Sequence, residues 1–329
     1  MMSYIGVSVI CSVYNHEPYL SKCLDSMLEQ ETSFPYEILI HDDASTDGCQ
    51  LIIKEYQEKY PHIIKAVLQN ENQFSKGNVH VETILFPMVR GKYICYLEGD
   101  DYWCNKFKLQ RQYDALENND NCSIAVHKTQ CVSFAGEKLN KIIGEGIFHP
   151  GIINGDDFLR IFLQGKKWPF QTSSFFARRE VVTNRLDFWD KFYVGDLPFL
   201  LWGAACGNIY FCDEIMSCYR MYRAGSATLL NRNREYALNK AKTNAEGLLA
   251  FNKATSNKYW KYAKHLTYYY LYQYYAATGK GITKEQLKDI HKELSFIERV
   301  RLRLKFTSIG NVFRNCRENI IKKKLRKVE

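Results

Sequence analysis

Within the first hundred residues, short apolar runs alternate with helical patterns, and three of the runs end in a polar or acidic cluster. Residues 7–11, 37–41, 63–68 and 93–97 are too short for helices and are rich in Val, Ile and Leu, so they read as buried strands. Strands separated by helices form parallel sheets, because a parallel connection has to cross over the sheet face. Parallel strands bring their carboxyl ends to one edge, where open α/β sheets bind ligands. That edge is predicted to carry Ser12, Tyr14 and Asn15 from the first strand, Asp42 and Asp43 from the second, and Glu98, Asp100 and Asp101 from the fourth.

The intervening segments have helical spacing. Pro18 stands where a helix begins, and Leu20, Cys23, Leu24, Met27 and Leu28 fall on one face. Residues 44–48 are turn and cap chemistry, followed by a second stripe of Cys49, Ile52, Ile53, Tyr56 and Tyr60. Beyond Ser123 the pattern loosens to a helix over 156–163, a strand over 171–178 and a strand near 209–211. From about residue 232 it is helical, with an aromatic-dense segment at 259–275. The predicted architecture is a mostly parallel α/β domain over 1–226 and a helical extension over 227–329.

Composition narrows the function classes. With 46% hydrophobic and 25% charged residues, the chain folds rather than remaining disordered. It contains no apolar run of about 18 residues and no signal-like start, so a cytosolic protein is expected. None of the eleven cysteines forms a CxxC pair, and they read as reduced core residues rather than a zinc site. The net charge of +9 resides in the tail, where residues 299–329 hold eleven Lys or Arg against two Glu.

The acidic run after the fourth strand is the strongest chemical signal. Adjacent carboxylates repel, and a divalent cation relieves that repulsion. Oxygen ligands suit Mg²⁺ or Mn²⁺, which take one or two protein carboxylates and complete their shell with water and substrate phosphates. The plainer alternative is that Asp100 and Asp101 only cap a turn. A second pair, Asp42 and Asp43, at the end of another strand argues against it.

These segments resemble the family 2 glycosyltransferases over roughly residues 5–225. Residues 7–15 (VSVICSVYN) are similar to the family's opening strand, 40–48 (IHDDASTDG) to its uridine-binding segment, and 90–101 to the approach to its DxD motif. The resemblance implies a GT-A fold and inverting transfer from a nucleotide sugar, with a UDP-sugar the expected donor. Ser12 and Tyr14 would hold base and ribose, Asp43 would accept from the uracil, Glu98 would lie near the ribose, and Asp100, with Asp101 as second candidate, would bind metal. Glu98 departs from the family's Asp by one methylene.

A sugar hydroxyl needs a base within hydrogen-bond reach. The run Gly195, Asp196, Leu197, Pro198 resembles the family's later acidic motif, which implies Asp196 as base, although Asp196 also reads as a helix cap. Thr172 and Ser173 look like the acceptor-side strand, or else edge hydroxyls facing water. Arg220 and Arg223 are candidates for the leaving diphosphate, or a solvated pair. His16, His41, His127 and His149 lack metal-site spacing and are expected to have no catalytic role.

In the tail, Arg299, Arg301, Arg303 and Lys305 alternate with apolar residues, and Lys322, Lys323, Lys324, Arg326 and Lys327 follow. This is the composition of a peripheral contact with an anionic membrane, with a solvated tail the alternative and nucleic acid not expected. A bacterial surface-polysaccharide enzyme with a glycan or lipid-linked acceptor is the implied setting. The rivals are a sugar-phosphate nucleotidyltransferase, disfavoured because residues 11–19 hold no glycine, and a non-catalytic nucleotide-sugar binding module.

Overall fold

Strand β1 (Val7–Val13) is buried on both faces, as are β2 (Tyr36–Asp42) and β4 (Tyr93–Glu98), which is why all three read as unbroken apolar runs. With β3 (Ile64–Leu68) they form a parallel block in the order β3-β2-β1-β4. The structure is a computed structural model describing residues 4–77, 81–165, 168–184, 187–221 and 233–305. The helix Glu17–Leu28 begins with Pro18 in its first turn and buries Leu20, Cys23, Leu24 and Met27, the predicted face. Its partner Cys49–Lys59 adds Cys49 and Ile53 to the same core.

The remainder of the sheet is mixed. It comprises β5 (Tyr102–Trp103), β6 (Cys122–Val132), β7 (Lys138–Ile143), β8 (Gly151–Ile153), β9 (Phe176–Arg178) and β10 (Asn208–Arg220). Strand β9 lies antiparallel between β4 and β6, so β6 runs in the direction of β4, and β10 is parallel to β6. The carboxyl ends of β1, β2, β4, β6 and β10 therefore reach one edge, and β10 delivers Arg220 there.

The strand expected over 171–178 is only β9. Thr172–Ser174 is a 3₁₀ turn in which the Ser174 amide and hydroxyl both bond the Gln171 carbonyl, at 2.8 and 2.6 Å. Local serine bonding competes with extension. The later helices form at Gly155–Phe162, capped by Asn154, and at Asp196–Cys206.

The chain divides into two compact units, residues 1–190 with 194–226 and residues 191–193 with 227–329. The second contains the helices Arg234–Ala254, Trp260–Thr278, Lys284–Glu293 and Phe296–Leu304. Tyr272 lies in its centre, fully buried with Ile290, Leu294 and Leu302. The last two helices start with reciprocal caps, Thr283 with Gln286 and Ser295 with Glu298. No described helix is long and apolar enough to cross a membrane. Residues 306–329, with most of the basic tail, lie outside the described residues.

Candidate active site

Register brings the three polar strand ends together. Ser12 pairs with His41 of β2 on one side and with Glu98 of β4 on the other. Backbone bonds extend the alignment past the strands, from Asp43 N to the Val13 carbonyl (3.0 Å) and from Gly99 N to the Ser12 carbonyl (2.9 Å). Tyr14 stands 44% exposed at the rim. A Cβ on Gly99 would lie 2.7 Å from His16 Nδ1 and 3.1 Å from Val13, so only glycine admits this close approach of β4 to the β1 loop.

The β1 and β2 loops are cross-braced. Asn15 Oδ1 accepts from Thr46 N (2.8 Å), and the Ser45 hydroxyl accepts from Asn15 N (2.9 Å). Asp47 accepts from Glu17 N and Cys49 N, while Glu17 accepts from Gly48 N at 2.9 Å. Two residues here are left-handed, Asn15 at φ 54° and Ala44 at φ 61°. For alanine that conformation costs about 1–2 kcal/mol, which the surrounding bonds hold in place.

The β2 pair is held by several donors within the protein. Asp42 accepts from Ser45 N (3.0 Å), Gln50 Nε2 (2.7 Å) and the Ser45 hydroxyl. Asp43 accepts from Gln73 N (2.6 Å) and Phe74 N (3.1 Å), so its carboxylate heads the short helix Gln73–Gly77. Each carboxylate oxygen has two acceptor sites, which leaves Asp43 capacity for a further donor.

The β4 pair is built differently. Asp101 is 1% exposed; its Oδ1 accepts from Arg220 N at 2.8 Å, and its Oδ2 has no hydrogen-bond partner among the described residues. Burial, and then the charges of Asp100 and Glu98, hold its carboxyl well above the usual carboxylate range. Asp100 Oδ1 lies 3.9 Å from His16 Nε2. Arg220 is buried, not solvated: its Nε donates to the Asp100 carbonyl (2.9 Å), and one Nη donates to the Phe134 carbonyl (2.9 Å). Its guanidinium carbon sits 4.4 Å from the Tyr19 ring centroid. Arg220 thereby clamps the acidic loop as well as neutralising its surroundings.

Among the described residues no three His, Cys, Asp or Glu side chains converge as a metal cage. Asp100 and the buried Asp101 Oδ2 still fit a Mg²⁺ or Mn²⁺ ion, which needs one or two carboxylates and completes its shell from a diphosphate and water.

The remaining candidates sit as follows. Asp196 is the first residue of its helix, half-buried, with Oδ1 accepting from Leu197 N at 2.7 Å. Thr172 is half-buried, whereas Ser173 is fully buried, with its hydroxyl 2.9 Å from that of Ser217, and packs rather than facing an acceptor. Arg223 lies outside the described residues. His16 is the site residue that metal-ligand spacing misses; its signal is its place in the loop directly after β1. His41 and His127 are buried, and burial lowers the pKa of both. Of the ten described cysteines seven are buried, and none forms a disulfide.

Comparison with known proteins places this geometry. A Mycobacterium tuberculosis protein of uncharacterized function is 33% identical over 132 residues, 40% of this chain and 37% of its own length, so the chain spans well under half of that relative. A poly(ribitol-phosphate) beta-glucosyltransferase of Bacillus spizizenii is 29% identical over 119 residues, 36% of this chain and 18% of that one. Among solved structures, Staphylococcus aureus TarS in complex with UDP-GlcNAc superposes with TM-score 0.55 at 15% identity, covering 92% of this chain and 91% of that one. A Pyrobaculum calidifontis mannosyltransferase in complex with GDP-Man and Mn²⁺ gives TM-score 0.51 at 15% identity, covering 93% and 89%. The fold is thus of the GT-A type with added C-terminal helices. The model of Glycosyl transferase family 2 matches residues 8–186, more than half of the chain and every strand that builds the acidic edge except β10, and the chain belongs to that family.

Proposed function

We propose that the protein is an inverting glycosyltransferase that moves a sugar from a nucleotide sugar, a UDP-sugar in the first instance, to an acceptor hydroxyl. The observation that carries the reading is the acidic end of β4: adjacent Asp100 and Asp101 beside the ends of β1 and β2, with Arg220 bonded to the Asp100 carbonyl and to one Asp101 carboxylate oxygen, and the other Asp101 oxygen buried and unmet. Ser12, Tyr14 and Asp43 line the neighbouring strand ends and would take the base and ribose, with Glu98 beside them. Asp100 and Asp101 would hold Mg²⁺ or Mn²⁺, whose chemistry when bound is neutralisation of the departing diphosphate.

Asp196, at the start of its helix, would take the acceptor proton as that oxygen attacks the anomeric carbon. The C–O bond to the new oxygen forms while the bond to the diphosphate breaks on the opposite face, so one displacement inverts the centre. Positioned proton removal of this kind contributes about 100-fold or more. A surface glycan or lipid-linked glycan is the acceptor class, supported by the likeness to the poly(ribitol-phosphate) enzyme. In this reading the protein works in the cytosol at the inner face of the plasma membrane, with no nucleic-acid partner.

The test is a thermal-shift panel of UDP-, GDP-, dTDP- and CMP-sugars with and without Mn²⁺, since a ligand of the native state raises stability by mass action. A shift with one nucleotide class that grows with Mn²⁺, followed by transfer or donor hydrolysis, is expected. No shift with any donor overturns the reading.

A further inference from the structure

The last described helix, Phe296–Leu304, presents a face that the described residues of its own unit leave exposed. Phe296 is 72% exposed, Ile297 62% and Val300 36%. At 100° per residue these three fall within about a 100° arc of the helix. The opposite side is the packed one. Leu302 is buried against the Tyr272 core, and Glu298 Oε1 lies 3.2 Å from His265 Nε2. Lys305 Nζ donates to Gln273 Oε1 at 2.9 Å on that side, and Arg303, at the border of the strip, donates from Nε to the Tyr272 hydroxyl at 2.8 Å. The helix is therefore fixed in rotation, with Phe296, Ile297 and Val300 outward.

The same projection puts Arg299 and Arg303 along one border of the apolar strip and Arg301 along the other. An occupant has to be apolar at its centre and anionic at its margins. The segment that follows the helix does not meet that requirement, because residues 306–329 hold seven Lys or Arg against two Glu and would meet the arginines as like charges. Nucleic acid supplies the anions but not the apolar centre. A lipid leaflet with anionic headgroups supplies both, since acyl chains take the apolar face while the arginines remain at headgroup depth.

We propose that the Phe296–Val300 face is a docking surface for an anionic lipid leaflet. The helix lies in the plane of the interface, and the basic residues after it add to the attraction at about 1 kcal/mol each near the surface, roughly a fivefold gain in affinity per charge.

The experiment is co-sedimentation of the full chain with vesicles of phosphatidylcholine alone or mixed with phosphatidylglycerol, at rising salt. Wild type is expected to bind the mixed vesicles, to be released as salt rises and to bind neutral vesicles weakly. Phe296→Ser with Ile297→Ser leaves every basic residue in place and is expected to lower binding to mixed vesicles by roughly tenfold or more. A second variant, Arg299→Gln with Arg301→Gln, tests the margins and is expected to lose the salt-sensitive part. Phe296, Ile297 and Arg301 are exposed, whereas Arg299 is half-buried and donates to the His291 carbonyl at 3.2 Å, and an unchanged thermal midpoint in each variant shows that the fold is retained. Mixed-vesicle binding by the Ser variant equal to wild type overturns the proposal, as does wild-type binding without preference for the anionic lipid. Sedimentation velocity in the absence of vesicles gives the remaining outcome: self-association of wild type that the Ser variant abolishes makes the face a contact between copies and also overturns it.

Discussion

Two Asp-Asp pairs close two strands of this sheet, and they are indistinguishable as dipeptides. At the end of β2, Asp42 and Asp43 accept hydrogen bonds from Ser45, Gln50, Gln73 and Phe74, so both brace loops, with Asp43 keeping room for one further donor. At the end of β4, Asp100 stands beside His16, while Asp101 spends one oxygen on Arg220 and keeps the other buried and unmet. An acidic pair thus becomes a scaffold or a candidate ligand site according to how many amide donors the surrounding loops offer. The β2 loop doubles back through Ser45, and the helix start at Gln73, which follows β3, turns its amides on Asp43. The β4 loop is instead gripped by an arginine from a distant strand.

That contrast is open to direct attack. The largest effect is expected for Asp100→Ala, which should lower transfer by roughly 1,000-fold and abolish the metal dependence of UDP binding in isothermal titration, because several kcal/mol of charge stabilisation are lost. If metal-dependent affinity is unchanged, the candidate ligand is Asp101 alone and the two pairs have to be compared afresh. Asp196→Asn extends the comparison to a third acid, at a helix start. Turnover should fall roughly 100-fold with donor affinity nearly intact. Turnover within a few-fold of wild type would leave Asp196 as a helix-start cap, like Asp43.

For Asp42→Ala the expected phenotype is the reverse of that at Asp100. Three donors lose their acceptor, so stability should drop by about 1–3 kcal/mol in urea denaturation, while metal dependence of UDP binding persists. Loss of metal dependence without loss of stability would break the division between scaffold pair and ligand pair.

The smallest effect concerns the buried histidine on β6. Burial lowers the His127 pKa from 6.5 to about 3, with the nearby Lys108 charge contributing. Below pH 6.5 the unfolded chain therefore binds a proton that the folded chain refuses, and stability falls as the pH drops toward about 3. The slope approaches about 1.4 kcal/mol per pH unit for one proton. His127→Gln should flatten it, with a remainder from His41, which burial shifts in the same direction. Denaturation midpoints above and below pH 6.5 measure this, and an unchanged slope in the variant would assign the acid sensitivity elsewhere.

The parallel half of the fold was legible because three of its four strands are buried on both faces and its connecting helices carry single apolar stripes. Leu20, Cys23, Leu24 and Met27 are buried as their spacing predicts. The mixed half was less so. Strand β9 is three residues long, and the run before it forms a turn because Ser174 bonds the Gln171 carbonyl rather than extending. The hydroxyl of Ser173, readable as an acceptor contact, instead meets Ser217 of β10 across 44 residues of chain.

By itself, the sequence determined which acids stand at strand ends, because apolar runs set the strands and the parallel direction collects their carboxyl ends at one edge. Only the tertiary structure decided what each acid does there. Hydrogen-bond partners come from residues remote in the chain, as with Arg220 reaching Asp101 from 119 positions away. It also decided that His16 belongs beside Asp100, since that proximity depends on Gly99 admitting a close approach that no local pattern encodes.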